Sequence, residues 1–161
     1  MIDRLEPFFV WMQDSAVSAY FLENTWSSPI VQCAHLLAIA VFAGSVLIVD
    51  IRLLGKGLTR LSVEQVARSA QPWLVWSFLA LVVTGVPQMI SLALKQYYSP
   101  FFWLKMELLL FGLLFTFTIR RKVTLADPAR VGSWVPKAVA LVSMAVWGSV
   151  AVWARLIGLF S

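Results

Sequence analysis

Side chains that bind metals or carry redox chemistry are nearly missing from this chain. Among its 161 residues there is one cysteine, Cys33, and one histidine, His35. A lone cysteine excludes an intramolecular disulfide and a Cys-pair metal motif. Cys33 lies inside an apolar run and reads as a small packing residue. Charge is also scarce, at 13% of residues, where soluble domains carry ~25%. No nucleophile–base arrangement or phosphate loop is visible, and Gly55–Gly57 reads only as a short exit from a helix. An autonomous enzyme is therefore the least expected function. The formal charge of +5 sits between hydrophobic runs rather than in a basic patch interleaved with aromatics, so no nucleic-acid partner is expected. The N-terminus places Asp3 and Glu6 where a signal peptide carries basic residues, and no internal repeat is apparent.

What the chain does have is hydrophobic length. Hydrophobic residues make up 60% of it and the mean hydropathy is +0.82. Residues 29–54 run uncharged from Ile30 to Val49. That is about 20 residues, enough at ~1.5 Å each to cross a ~30 Å hydrocarbon core. Similar runs recur at 72–94, 101–120 and 135–160. The expected fold is an all-α integral membrane protein, a four-transmembrane-helix antiparallel bundle in one domain, 1–161. Residues 1–28 read as one or two amphipathic helices lying at the bilayer surface or across the bundle mouth, with Asp14 or Ser15 capping the second. Ser62 and Gln65 have capping-box spacing and predict a short surface helix before the second span. Gly85 and Pro87 predict a loosened second span, and a turn is expected near Asp127–Pro128.

Basic residues give an orientation. Arg52, Lys56, Arg60 and Arg68 flank or occupy the first link, and Arg120, Arg121, Lys122, Arg130 and Lys137 the third. The positive-inside rule puts links 55–71 and 120–134 in the cytoplasm of a bacterial inner membrane and both termini on the periplasmic side. Six tryptophans (Trp26, Trp73, Trp76, Trp103, Trp134 and Trp153) fall near the expected span ends.

With that orientation the polar residues fall into two layers. The outer layer holds Gln32, His35, Gln88, Ser91, Lys105, Glu107 and Arg155. The inner layer holds Asp50, Arg52, Gln71, Arg120 and Arg121, and reads as a clamp between the first and third spans, or alternatively as a proton-entry site. Lys105 and Glu107 are two residues apart and diverge on a helix, so Glu107 is expected to meet His35, Arg155 or a polar group near Lys105. His35 has three readings: a hydrogen-bonded structural histidine, a ligand to haem b or copper, or part of a quinone or lipid-like site with Glu107. Haem would need Met89, Met106 or Met144, or a partner subunit, as second ligand. Small residues Ala40 and Gly44, and Ala145, Gly148 and Ser149, offer close-approach surfaces, with Gly112 placed to face one of them.

The pattern His35–Leu36–Leu37, Phe42–Ala43–Gly44 and Asp50–Ile51–Arg52–Leu53–Leu54–Gly55 resembles an uncharacterised group of small bacterial inner-membrane proteins. That group is distantly similar to the membrane domain of copper-resistance protein D. The resemblance covers most of the chain by span layout, with its specific motifs in residues 35–55. It implies copper handling or haem, and marks His35, Asp50, Arg52 and Gly55. The chain departs from a self-contained metal or haem site in having no second histidine.

The leading expectation is a structural or accessory component of a membrane complex, its partners being lipid and either a second copy or other inner-membrane subunits. The alternatives are a haem- or copper-binding protein using His35, and a transporter-like protein binding quinone or a small solute between His35 and Glu107.

Overall fold

The computed structural model describes residues 5–126, 132 and 134–160, with side chains as far as Leu156. The expected turn at Asp127–Pro128 lies outside the described residues, as do Asp3, Arg4 and Arg130. Four helical stretches are long and apolar enough to cross a membrane: Ser27–Leu53, Val63–Ser91, Pro100–Leu125 and Trp134–Leu156. The protein is an all-α four-helix membrane bundle with additional N-terminal helices.

The first spanning helix, α3 (Ser27–Leu53), follows α1 (Glu6–Gln13) and α2 (Ala16–Glu23). Its buried residues Ala38, Phe42, Ser45, Val46, Val49, Asp50 and Leu53 recur every three or four positions and form one stripe. The opposite face is equally apolar, with Leu36, Leu37, Leu47 and Ile48 exposed, as a helix solvated by lipid requires. Gly55 stops the helix at φ +78°. Its N–H donates to Arg52 O and that of Lys56 to Ile51 O, both at 3.0 Å. This is a Schellman motif, and the left-handed position favours glycine.

The capping box at Ser62 forms: Ser62 Oγ accepts from Gln65 N at 3.1 Å, and Gln65 Oε1 accepts from Ser62 N at 2.9 Å. The helix it starts does not stop before the membrane. Surface helix and second span are one helix, α4 (Val63–Ser91), with Pro72 and Pro87 inside it. A proline removes one backbone donor from a helix but need not end it when neighbouring helices and side chains support the chain. A separate short helix, α5 (Ala93–Tyr97), takes up the end of the stretch expected to belong to the second span.

The third span also runs past its expected end. Helix α6 (Pro100–Phe115) passes through a π-helical turn, Thr116–Arg120, into α7 (Arg121–Leu125). The last span is α8 (Trp134–Phe160). Helix α3 packs against α4 and α8, and α6 packs against α8. Gly112 of α6 allows that last approach, but its neighbours are large: a Cβ there would lie 3.1 Å from Val146 Cγ1 and 3.3 Å from Trp147 Cζ2. Gly44 and Gly148 have nothing within 4 Å of the corresponding position, so neither is at a close helix contact. Cys33 is exposed rather than packed between helices.

Helix α1 crosses the mouth opposite the basic links. Phe9 and Met12 pack with Ala93, Tyr97 and Phe102. Gln13 Oε1 accepts from Leu94 N at 2.9 Å and so caps α5 from a distant part of the chain. Tyr98 donates to Glu6 Oε1 at 2.7 Å, and this bond to the carboxylate holds the exposed phenol above its usual pKa. Ser15 caps α2 by accepting from Ser18 N.

Gly112→Leu is expected to overpack the α6–α8 contact, costing about 1–3 kcal/mol. Thermal unfolding in mild detergent checks this: Gly112→Leu should melt well below the wild type, and Gly148→Leu close to it.

Candidate functional site

Two polar constellations lie inside the bundle, one toward each end. The first joins α3 to the third span near the basic links. Asp50 is fully buried and Arg120 is 5% exposed. Arg120 Nε donates to Asp50 Oδ1 at 2.8 Å, and Nη2 donates to Val46 O at 2.7 Å. The expected basic-link residue Arg120 is therefore an interior residue, because the helix continues beyond it. Thr116, Arg120 and Thr124 are all buried at intervals of four, a spacing maintained through the wider π turn. Trp147 Nε1 of α8 donates to Thr116 Oγ1 at 3.1 Å. Ser143, also on α8, lies against the Asp50 carboxyl. It does not complete a well-aligned hydrogen bond: Asp50 Oδ2 and Ser143 Oγ both lack a partner of good geometry.

Arg52 takes no part in this pair, since its Nε donates to Leu61 O at 2.8 Å and holds the first link against its own helix. Arg121 is exposed, and with Gln71, Thr116 and Arg120 it lines a cavity of about 20 Å³. A space of that size holds roughly one water.

The second constellation lies toward the end of the bundle that carries α5. His35 continues the inward stripe of α3, seven residues before Phe42. Its Nδ1 is 2.7 Å from Thr84 Oγ1 on α4. Thr84 has one hydroxyl proton, which it donates to Ala80 O at 2.6 Å. Its oxygen must then accept from His35, which places the proton on Nδ1 and leaves an open lone pair on Nε2. No described residue bonds to Nε2. Gly85 makes room for the ring, since a Cβ there would lie 3.1 Å from His35 Cε1. Gln88 Nε2 donates to Thr84 O at 2.9 Å and supports the carbonyls beside Pro87.

Lys105 of α6 lies at the same end of the bundle. It is half-buried. It makes no ion pair among the described residues, whose pairs are Arg68–Glu64 and Arg120–Asp50. Glu107 meets none of its expected partners and is exposed. The reason is angular, because two residues advance a helix by ~200° and carry Glu107 away from the face Lys105 occupies. Gln32, Met106 and Arg155 are likewise exposed.

The candidate metal donors do not converge. Cys33, Met106 and Met144 are exposed, while Met89 packs beneath α1 beside Phe9 and Met12. Among the described residues no group of three or more His, Cys, Asp or Glu could hold a metal ion. His35 Nε2 thus stands without a second metal donor among the described residues.

Residues 8–161 match the model of a family of unknown function, DUF6644. The chain belongs to that family. No curated protein and no solved structure matches it, and nothing in these comparisons ties it to copper-resistance protein D.

In this DUF6644 chain each marked residue of the Asp50–Gly55 stretch has a separate physical task. Asp50 pairs with Arg120, Arg52 ties down the link, and Gly55 ends the helix. Sequence reasoning missed Thr84, Thr116 and Ser143, and read Gly85 only as loosening the second span rather than as making room for His35. A signal for Thr84 existed, since Ser77, Leu81, Thr84 and Gln88 continue the buried stripe of α4 at helical spacing.

Asp50→Ala leaves the Arg120 guanidinium buried without its counterion and is expected to destabilise the fold by about 3–5 kcal/mol. The double variant Asp50→Leu with Arg120→Met should recover most of that loss. Thermal unfolding of the three proteins in detergent checks it; an unshifted Asp50→Ala midpoint would show that the pair does not hold the bundle.

Proposed function

We propose that this protein is an accessory component of a bacterial inner-membrane complex, without catalysis of its own. The observation that carries this reading is Glu107. It stands about 10 Å along α6 from Pro100 by the helix rise, exposed and without an ion pair among the described residues. A short carboxylate facing hydrocarbon is costly, and a protein neighbour offering a donor removes that cost. The exposed faces beside it are apolar, including Leu110, Phe111 and Leu114. Gly44 and Gly148 leave open places where another helix backbone could approach closely. The positive charge of the links supports an orientation with those links in the cytoplasm and both termini in the periplasm.

His35 favours a second reading, a bound ligand. Its Nδ1 is fixed by Thr84 and its Nε2 is open, the arrangement that orients an imidazole toward a ligand. Quinone or a small solute needs no further protein donor of fixed geometry. Copper handling, as in copper-resistance protein D, or haem b would need a ligand from another subunit, since Met89, Met106 and Met144 do not join His35.

Glu107→Leu tests the first reading without touching a described intrachain contact. Native electrophoresis of mildly solubilised membranes should show the wild type in an assembly larger than one 18.0 kDa chain with its micelle. The variant should run smaller by the mass of the lost partner. A wild type that runs as a single chain, unchanged by the substitution, would refute the accessory role. For the second reading, visible absorption and metal analysis of the purified protein separate haem and copper from colourless ligands, and His35→Ala should abolish either signal.

A further inference from the structure

A small polar cavity lies beside the Asp50–Arg120 pair, between α3, α4 and the third span. Buried Thr116, Arg120 and Thr124 line it, together with half-buried Gln71 and exposed Arg121. Its volume is about 20 Å³, room for roughly one water-sized oxygen. The hydrogen bonds around it leave mostly donors to serve that space. Arg120 commits Nε to Asp50 and Nη2 to Val46 O, which leaves Nη1. Thr116 Oγ1 accepts from Trp147 Nε1 at 3.1 Å, so its own proton is what it has to give. Thr124 gives its proton to Arg121 O at 3.0 Å. Gln71 brings an amide and Arg121 a second guanidinium. Asp50 engages Nε of Arg120 and does not line the cavity.

We propose that this cavity seats one acidic oxygen of a phosphate group, carried by a phospholipid headgroup or by free phosphate. The space admits one oxygen and excludes the whole group, so the other oxygens stay at the mouth beside exposed Arg121. Arg120 Nη1, Thr116 and Gln71 donate to the seated oxygen. Arg121 meets another through a charge-assisted bond. The Asp50–Arg120 pair is neutral as a unit, so Arg121 supplies the net positive charge that favours an anion over water. The depth suits a headgroup. The spanning stretch ends at Leu125, about 6 Å beyond Arg121 by the helix rise. Basic pockets between membrane helices recognise anionic headgroups at that level. The site stands apart from Glu107 and from His35, and depends on neither reading proposed for them.

Thermal unfolding of the full-length protein in a neutral detergent reads the binding, because a ligand of the folded state raises the midpoint. One sample receives phosphatidylglycerol in the micelles. A second receives diacylglycerol with the same acyl chains and no phosphate. A third receives inorganic phosphate, compared with chloride at equal ionic strength. Phosphatidylglycerol should raise the midpoint saturably and diacylglycerol should not. A rise with phosphatidylglycerol alone identifies a lipid headgroup as the source, and a rise with inorganic phosphate identifies a soluble anion. Gln71→Leu removes a donor without removing a charge. It should raise the concentration for half-maximal effect about tenfold, as should Arg121→Gln. Arg60→Gln, an exposed position of the first link outside the cavity, should respond like the wild type.

Equal midpoints with phosphatidylglycerol and diacylglycerol, and no rise with phosphate, would overturn the proposal. Gln71→Leu and Arg121→Gln proteins that respond like the wild type would overturn it too. So would an Arg60→Gln protein that loses as much as Arg121→Gln, since the attraction would then belong to the basic links in general.

Discussion

The Asp50–Arg120 pair is the contact on which the rest of this bundle depends. Lipid tails are as apolar as the side chains that face them, so helices in a membrane gain little by burying apolar surface against one another. Polar contacts and close packing must set which faces meet. Here one guanidinium reaches both a carboxylate and a backbone carbonyl of α3 from the third span. Charges that deep are stable only when paired, so the contact fixes the rotation of both helices about their axes. The π turn belongs to the same arrangement, since it keeps Thr116 and Arg120 both facing inward, where Trp147 of α8 reaches Thr116.

The two polar layers differ in what they leave unfinished. Near the basic links the charges nearly balance, and the remaining open atoms, Asp50 Oδ2 and Ser143 Oγ, lie side by side in the interior. Toward the α5 end the ring of His35 is held firmly, but its second nitrogen and the Lys105 ammonium have no described partner. The first arrangement fits a structural clamp. The second fixes one nitrogen of the imidazole and leaves the other open.

The N-terminal helices pack at the α5 end of the bundle without being part of a span. Phe9 and Met12 seat α1 on α5 and the start of α6. Polar ties at Gln13 and Glu6 fix its position, each using a group that a free helix end or an exposed phenol would otherwise offer to water. That end of the bundle is therefore built in part by a segment that the hydropathy pattern alone would leave outside it.

By itself the sequence determined the class, the count of spans and several local structures. Apolar length decides a membrane helix, and the Ser62–Gln65 spacing and the Gly55 stop are read within a few residues, because these devices act within one turn. It also separated Lys105 from Glu107, since the helical period alone shows that they diverge. Tertiary structure decided which of the two turns inward, that Arg120 lies inside the bundle, and that Thr84 holds His35. It also decided that Pro72 does not divide α4. Each of these depends on helix rotation and on partners 49 to 70 residues away, set by packing across the bundle rather than by any local propensity.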